Sequence, residues 1–234
     1  MIDETGDPGG LDGQGRTWID HLRHVVSRPS IPARRALVLA AALCLAFLVV
    51  AAQALAVRSP LGHDESVYAL RSRDLLDGWN HLSGDYWRDY RAPGLPMLLS
   101  GVGRIVGVHV TTARAFVVLL ATGILIATVL LGARLRSWSV GVVAAALLLV
   151  TYGFVLTSTT LLADTPGAAF ALVAVVIYLK EMDERRLRWS FVVVPLAALV
   201  ATLSRFGAPF MIAAGLTAVA LVSAPSVLAN RQWR

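Results

Sequence analysis

From Ala36 to Val57 the chain reads ALVLAAALCLAFLVVAAQALAV, with Gln53 as its one polar side chain. About 20 apolar residues suffice for a helix to cross the roughly 30 Å hydrocarbon core of a bilayer, so this stretch predicts a transmembrane span. Arg34 and Arg35 precede it directly, and paired basic residues at the start of a first span favour a cytoplasmic N-terminus. Upstream, residues 1–35 are polar and contain Pro8, Pro29 and Pro32. That composition predicts a disordered cytoplasmic tail, with Trp18 to Val26 as a short surface helix. A secretory signal would carry its apolar stretch much nearer the start, so none is expected.

Downstream, residues 58–94 form a polar loop that holds six of the fifteen acidic residues: Asp64, Glu65, Asp74, Asp77, Asp85 and Asp89. Ser66 to Asp77 predicts a helix, with Gly78 placed to end it. Trp79, Tyr86, Trp87 and Tyr90 suit a segment at the membrane surface. Further apolar runs follow at 95–110, 113–133, 139–157, 166–179, 190–204 and 207–224. Basic connectors separate them: Arg134 and Arg136, then Lys180, Arg185, Arg186 and Arg188, and finally Arg231 and Arg234. If all three face the cytoplasm, only one net crossing fits between Gly94 and Arg134. The 95–110 run is short and carries Arg104, whose charge at mid-bilayer would cost about 2.5–3.5 kcal/mol. It is therefore read as a short, re-entrant or interfacial element. A seventh full crossing is the alternative, and it would separate Asp164 from the first loop.

Composition agrees. Of 234 residues 56% are hydrophobic and 15% charged, against about 25% charged in soluble domains, and the mean hydropathy is +0.66. A soluble enzyme, a disordered chain and a disulfide-stapled module are excluded. The net charge of +6 is scattered between apolar runs with no basic face, which argues against nucleic acid and for contact with anionic membrane lipid. Cys44, the one cysteine, has no partner for a disulfide. The expected fold class is all-α: a polytopic transmembrane helical bundle of about six to seven membrane segments, with short surface helices in the first outer loop. The expected organisation is a tail (1–35), a transmembrane module (36–224, first outer loop 58–94) and a basic cytoplasmic end (225–234).

Four constellations can carry chemistry. His63-Asp64-Glu65 follows the first span, where paired carboxylates can bind a divalent cation or act as a general base; Asp64 can equally cap the helix beginning near Ser66. Asp164, in Thr157-Ser-Thr-Thr-Leu-Leu-Ala-Asp-Thr-Pro-Gly, is the one acid between Asp89 and Glu181. Carboxylates at membrane depth are functional suspects, though Pro166 also fits a helix start at Asp164. Arg205 lies between two apolar runs on the expected outer side, where its forked donors can hold a phosphate or snorkel to a headgroup. Arg91, in Tyr90-Arg-Ala-Pro-Gly-Leu-Pro96, can contact an acceptor or a phosphate. Arg104 and Arg114 read as headgroup contacts. Gly101, Gly103 and Gly107 lack the spacing and the preceding strand of a dinucleotide fingerprint.

The order of these features resembles the GT-C membrane glycosyltransferases. An acidic Asp64-Glu65-x-x-Tyr68 signal follows the first span. Gly78 ends the loop helix, and Arg91-x-Pro93-Gly94-x-Pro96 re-enters the membrane. Arg114 opens a span, Ala-Asp164-x-Pro166 comes about a hundred residues after Asp64, and Arg205 stands between later spans. The likeness, over about residues 36–224, is to the protein O-mannosyltransferase group (glycosyltransferase family 39-like) that includes the lipid A aminoarabinose transferases, and to its N-terminal half. It implies an enzyme of the plasma membrane taking a sugar from a polyprenyl-phosphate carrier at the outer face and passing it to a lipid, glycan or protein acceptor. It further implies Asp64 as base, Glu65 and Asp164 as catalytic support, and Tyr68, Arg91 and Arg205 in substrate binding. No cofactor is required by this reading; Asp64 and Asp164 would be the ligands of any divalent metal. A separate C-terminal half is a partner the likeness allows. A non-catalytic subunit that keeps the scaffold and binds lipid-linked sugar is the second reading. A transporter is disfavoured, since no broken helices with paired ionisable groups mark the midplane.

Overall fold

The computed structural model describes residues 31–57, 60–78, 92–107, 109–184, 190–205 and 212–213. The tail with its expected Trp18–Val26 helix, Arg91, the 185–189 connector, nearly all of the 207–224 run and the 225–234 end lie outside them. Among the described residues every regular element is a helix: an all-α bundle of apolar helices.

The first helix, α1 (Ala33–Ala56), carries the opening apolar stretch. Its 24 residues give a length of about 36 Å. Only Ala36, Phe47 and Ala51 are buried; Leu37, Val38, Leu45 and Val49 face outward, as lipid-facing side chains do. The loop helix α2 (His63–Asp77) begins three residues before its expected start at Ser66. Gly62, extended at φ −65° and ψ 167°, is the residue that caps it, so Asp64 lies inside the first turn and is not the cap. Acids are favoured there because the unpaired N–H groups of a helix start carry partial positive charge. At the other end Gly78, at φ +145°, takes a conformation that side chains resist.

The 95–110 run forms α3 (Gly94–Val106), closed by Gly107 at φ +82°. Its 13 residues span about 20 Å, short of a bilayer core. Next comes α4 (Val110–Leu135), 26 residues long and central to the molecule, since α1, α3 and the later helices pack on it. The expected 139–157 run is not one helix. It divides into α5 (Trp138–Val150) and α6 (Tyr152–Thr159), bent by 72°. Thr151 stands at the break. Its hydroxyl donates to the Leu147 carbonyl at 2.9 Å, and its N–H turns to Leu148 instead, at 3.1 Å. Such bonding of a threonine side chain to the i−4 carbonyl often accompanies a bend, and ψ of Thr151 is 114°. Two further helices, α7 (Asp164–Glu184) and α8 (Ser190–Ser204), pack on each other as an antiparallel pair, with Ala171 meeting Ala201 and Gly167 lying under Arg205. Among the described residues α1 and α4 are long and apolar enough to span a membrane, and the bent α5–α6 pair is a third at most.

One core layer joins Phe47 and Ala51 of α1 to Val118, Ala121, Leu125 and Val129 of α4 and Ala145 of α5. Phe47 stacks obliquely on Phe154, with ring centroids 5.7 Å apart. Small residues let helices approach where apolar burial gives no advantage over lipid. At the α4–α5 crossing this is extreme: a Cβ on Gly141 would overlap the Val129 carbonyl, and one on Gly132 would overlap Gly141. Gly141→Ala is therefore expected to cost about 1–3 kcal/mol through overpacking, read as a lowered unfolding midpoint in detergent. Gly123→Ala, whose Cβ would meet nothing within 4 Å, is the control and should leave the midpoint unchanged or raised.

Candidate active site

The loop helix α2 delivers two neighbouring carboxylates into different surroundings. Glu65 points inward and is 5% exposed. Arg114, in the second turn of α4 and 4% exposed, grips it with two donors on one edge of its guanidinium: Nε donates to Oε1 at 3.0 Å and Nη2 to Oε2 at 2.9 Å. The Gly62 N–H donates to Oε2 at 2.9 Å and the Leu161 N–H to Oε1 at 2.8 Å. Four donors match the lone-pair capacity of a carboxylate. Burial pushes the Glu65 carboxyl up, but the Arg114 hydrogen bonds, the two backbone N–H groups and the guanidinium charge outweigh it and hold the group below its ordinary value. A carboxylate depressed on folding contributes stability that is present above its unfolded value, about 4.3, and is lost as pH falls through its folded value. The unfolding midpoint should thus fall below about pH 4.3, and Glu65→Gln should remove that part of the acid dependence.

Asp64, one residue earlier on the helix, is exposed. This division is what the pair of letters conceals: Glu65 is consumed by structure, whereas Asp64 is presented outward from the turn that Glu65 anchors. Three residues beyond the Leu161 N–H that Glu65 holds, Asp164 starts α7. It forms an ion pair with Arg205, through Oδ1 and Nη1. Both are accessible, with side chains 38% and 53% exposed. Gly94, at the start of α3, lies so close to Leu203 and Ser204 that a Cβ would overlap their backbone. Asp64, Glu65, Arg114, Asp164, Arg205 and the Pro93-Gly94 turn thus gather at one end of the bundle.

Tyr68 packs in the core with Leu95, Leu99, Val117, Leu161 and Ala163, beneath this end. Arg91 lies outside the described residues. Among the described residues no three of His, Cys, Asp and Glu converge as a metal site, and Asp164 faces a guanidinium, so the expected donor pair of Asp64 and Asp164 is already partly neutralised. Ser158 and Ser204 are buried hydroxyls without a hydrogen-bond partner.

The sequence reading of Arg114 as a headgroup contact is corrected: it is a buried clamp. The signal was present, since an arginine inside an apolar run is expected to pair with an acid, but its partner stands 49 residues away. The role of the Leu161 N–H, 96 residues from Glu65, has no local signature at all.

No curated protein and no solved structure matches the chain. The family model described as dolichyl-phosphate-mannose-protein mannosyltransferase matches residues 90–233. The match begins after Asp64 and Glu65 and includes Arg91, Arg114, Asp164 and Arg205. Covering more than half of the chain, it establishes that this protein belongs to the dolichyl-phosphate-mannose-protein mannosyltransferase family, membrane glycosyltransferases of the GT-C type.

Proposed function

We propose that the chain carries the catalytic end of a glycosyltransferase that moves a sugar, mannose by the family's name, from a polyprenyl-phosphate carrier to an acceptor hydroxyl or amine. The observation that carries this reading is the outward Asp64 beside the saturated Glu65, on the same end as the accessible Asp164–Arg205 pair. In an in-line attack the acceptor heteroatom bonds to the anomeric carbon as the bond from that carbon to the phosphate oxygen breaks. The acceptor proton passes to Asp64, and the phosphate leaves with the carrier. Arg205 offers five N–H donors, more than its contact with Asp164 uses, and a guanidinium near the leaving phosphate lowers the barrier by opposing its growing charge. Asp164 holds Arg205 in place, and Glu65 with Arg114 fixes the turn that bears Asp64.

The orientation proposed with it places this end at the outer face of the plasma membrane in a multi-pass chain. Its support is electrostatic. The N–H of Ile31, before α1, donates to Ser139 Oγ at 3.0 Å, so Arg34, Arg35, Arg134 and Arg136 share the opposite end. Basic residues concentrate on the cytoplasmic side.

The test is turnover by the purified chain in nanodiscs, given a radiolabelled polyprenyl-phosphate mannose and a membrane lipid and glycan extract. Transfer, or release of the sugar to water, supports the enzyme. Saturable donor binding with no release identifies a non-catalytic subunit instead.

A further inference from the structure

A cavity of about 340 Å³ opens between α2 and the start of α4. Glu65, Tyr68 and Leu75, spaced along one stripe, are buried. The neighbouring stripe, Ser66, Leu70 and Arg73, faces this cavity instead, and His109 with the first residues of α4 forms the opposite wall. The cavity thus lies beside the Glu65–Arg114 clamp, with none of Asp64, Asp164 and Arg205 in its lining. Its lining divides by chemistry. Leu61, Leu70, Val110 and Ala113 are aliphatic, whereas Arg73 and His109 supply two side chains that can donate to an anion. Both are exposed, so neither is consumed as core. Val110 and Ala113 are in the first turn of the spanning helix α4, so the cavity lies at the level where the span leaves the acyl region.

We propose that this cavity holds the headgroup of an anionic glycerophospholipid. Arg73 and His109 take its phosphate, and the aliphatic walls take the first methylenes of an acyl chain. The argument is chemical complementarity at one depth: the Arg73 guanidinium and a His109 imidazole N–H stand beside an aliphatic wall that the spanning helix shares. A free inorganic anion would leave those walls wet, and a zwitterionic lipid would bring a second cation toward Arg73. Forked guanidinium contacts to phosphate are among the stronger hydrogen bonds. Lipid and phosphate share this chemistry, and the occupant assigned here is the lipid.

The full chain in nanodiscs is photolysed with diazirine-labelled phosphatidylglycerol, and the crosslinked peptides are mapped. Crosslinks within residues 61–73 and 109–113 are expected, competed by phosphatidylglycerol and not by phosphatidylcholine. Arg73→Gln with His109→Gln should reduce them about tenfold, the change that loss of about 1.4 kcal/mol of charged hydrogen bonding produces. Leu70→Glu, at a 62% exposed position where an added anion repels phosphate, should do the same with an unchanged unfolding midpoint. Crosslinks confined to other segments, equal competition by phosphatidylcholine, or undiminished labelling of both variants would overturn the proposal. Loss of labelling on adding millimolar inorganic phosphate would overturn the lipid assignment in favour of a free-anion site.

Discussion

Alanine at position 114 is expected to cost about 3–5 kcal/mol of unfolding free energy, the penalty of leaving one member of a buried ion pair without its partner. Glu65 would keep the N–H groups of Gly62 and Leu161 but lose both guanidinium bonds and the compensating charge. Neutralising it by proton uptake is the one relief available, so the variant's deficit relative to the parent should shrink as pH falls through the carboxyl range. Arg114→Lys should recover little, because an ammonium cannot bond both carboxylate oxygens in the plane of the fork. The double variant Glu65→Met, Arg114→Met discriminates a pair energy from general disruption of the α2–α4 contact. Replacing a buried pair by apolar residues strands no charge, although the Gly62 and Leu161 N–H groups lose their acceptor, so the double variant should cost less than the sum of the two single losses. Unfolding curves in detergent decide it. Additivity of the two single losses within about 0.5 kcal/mol would show that the two side chains do not act as a unit.

The clamp also explains which parts of the molecule were legible in the chain and which were not. The first span and the α4 run were readable because a bilayer imposes a length and an apolar composition on single segments. Gly78 was readable as a helix end because a positive φ selects glycine. Asp164 and Arg205 were readable as candidates because charge beside apolar runs is costly. Their pairing was not, since it depends on α7 and α8 packing in antiparallel register. The bend at Thr151 was hidden within an apolar run, because the same hydroxyl bond to the i−4 carbonyl occurs at Thr122 and Thr128 in a helix that continues. The start of α2 was misplaced by three residues because Glu65 reaches back to Gly62, a local bond, while being held by Arg114 and Leu161, which are remote. The sequence reading makes Asp64 the base and Glu65 its catalytic support, both at the site. Only the packing separates the buried anchor from the exposed group.

That separation makes the largest kinetic prediction. Asp64→Asn preserves shape but cannot accept a proton at neutral pH, and removing a general base lowers a rate by about 10²–10⁴-fold. The exposed position and the unchanged Glu65 anchor limit the effect on folding. Loss of one carboxylate charge from the first turn is worth about 0.3–1 kcal/mol, far below the clamp. Glu65→Gln should show the reverse balance: a lower unfolding midpoint, with activity lost in proportion to disorder of the turn. The central claim, that Asp64 is the group that takes the acceptor proton, is tested most directly by single-turnover release of sugar from polyprenyl-phosphate mannose in nanodiscs. Parent and Asp64→Asn are compared at matched donor occupancy. The expected result is a rate at least about 100-fold lower in the variant, with donor binding and the unfolding midpoint retained; a rate within twofold of the parent would contradict the assignment.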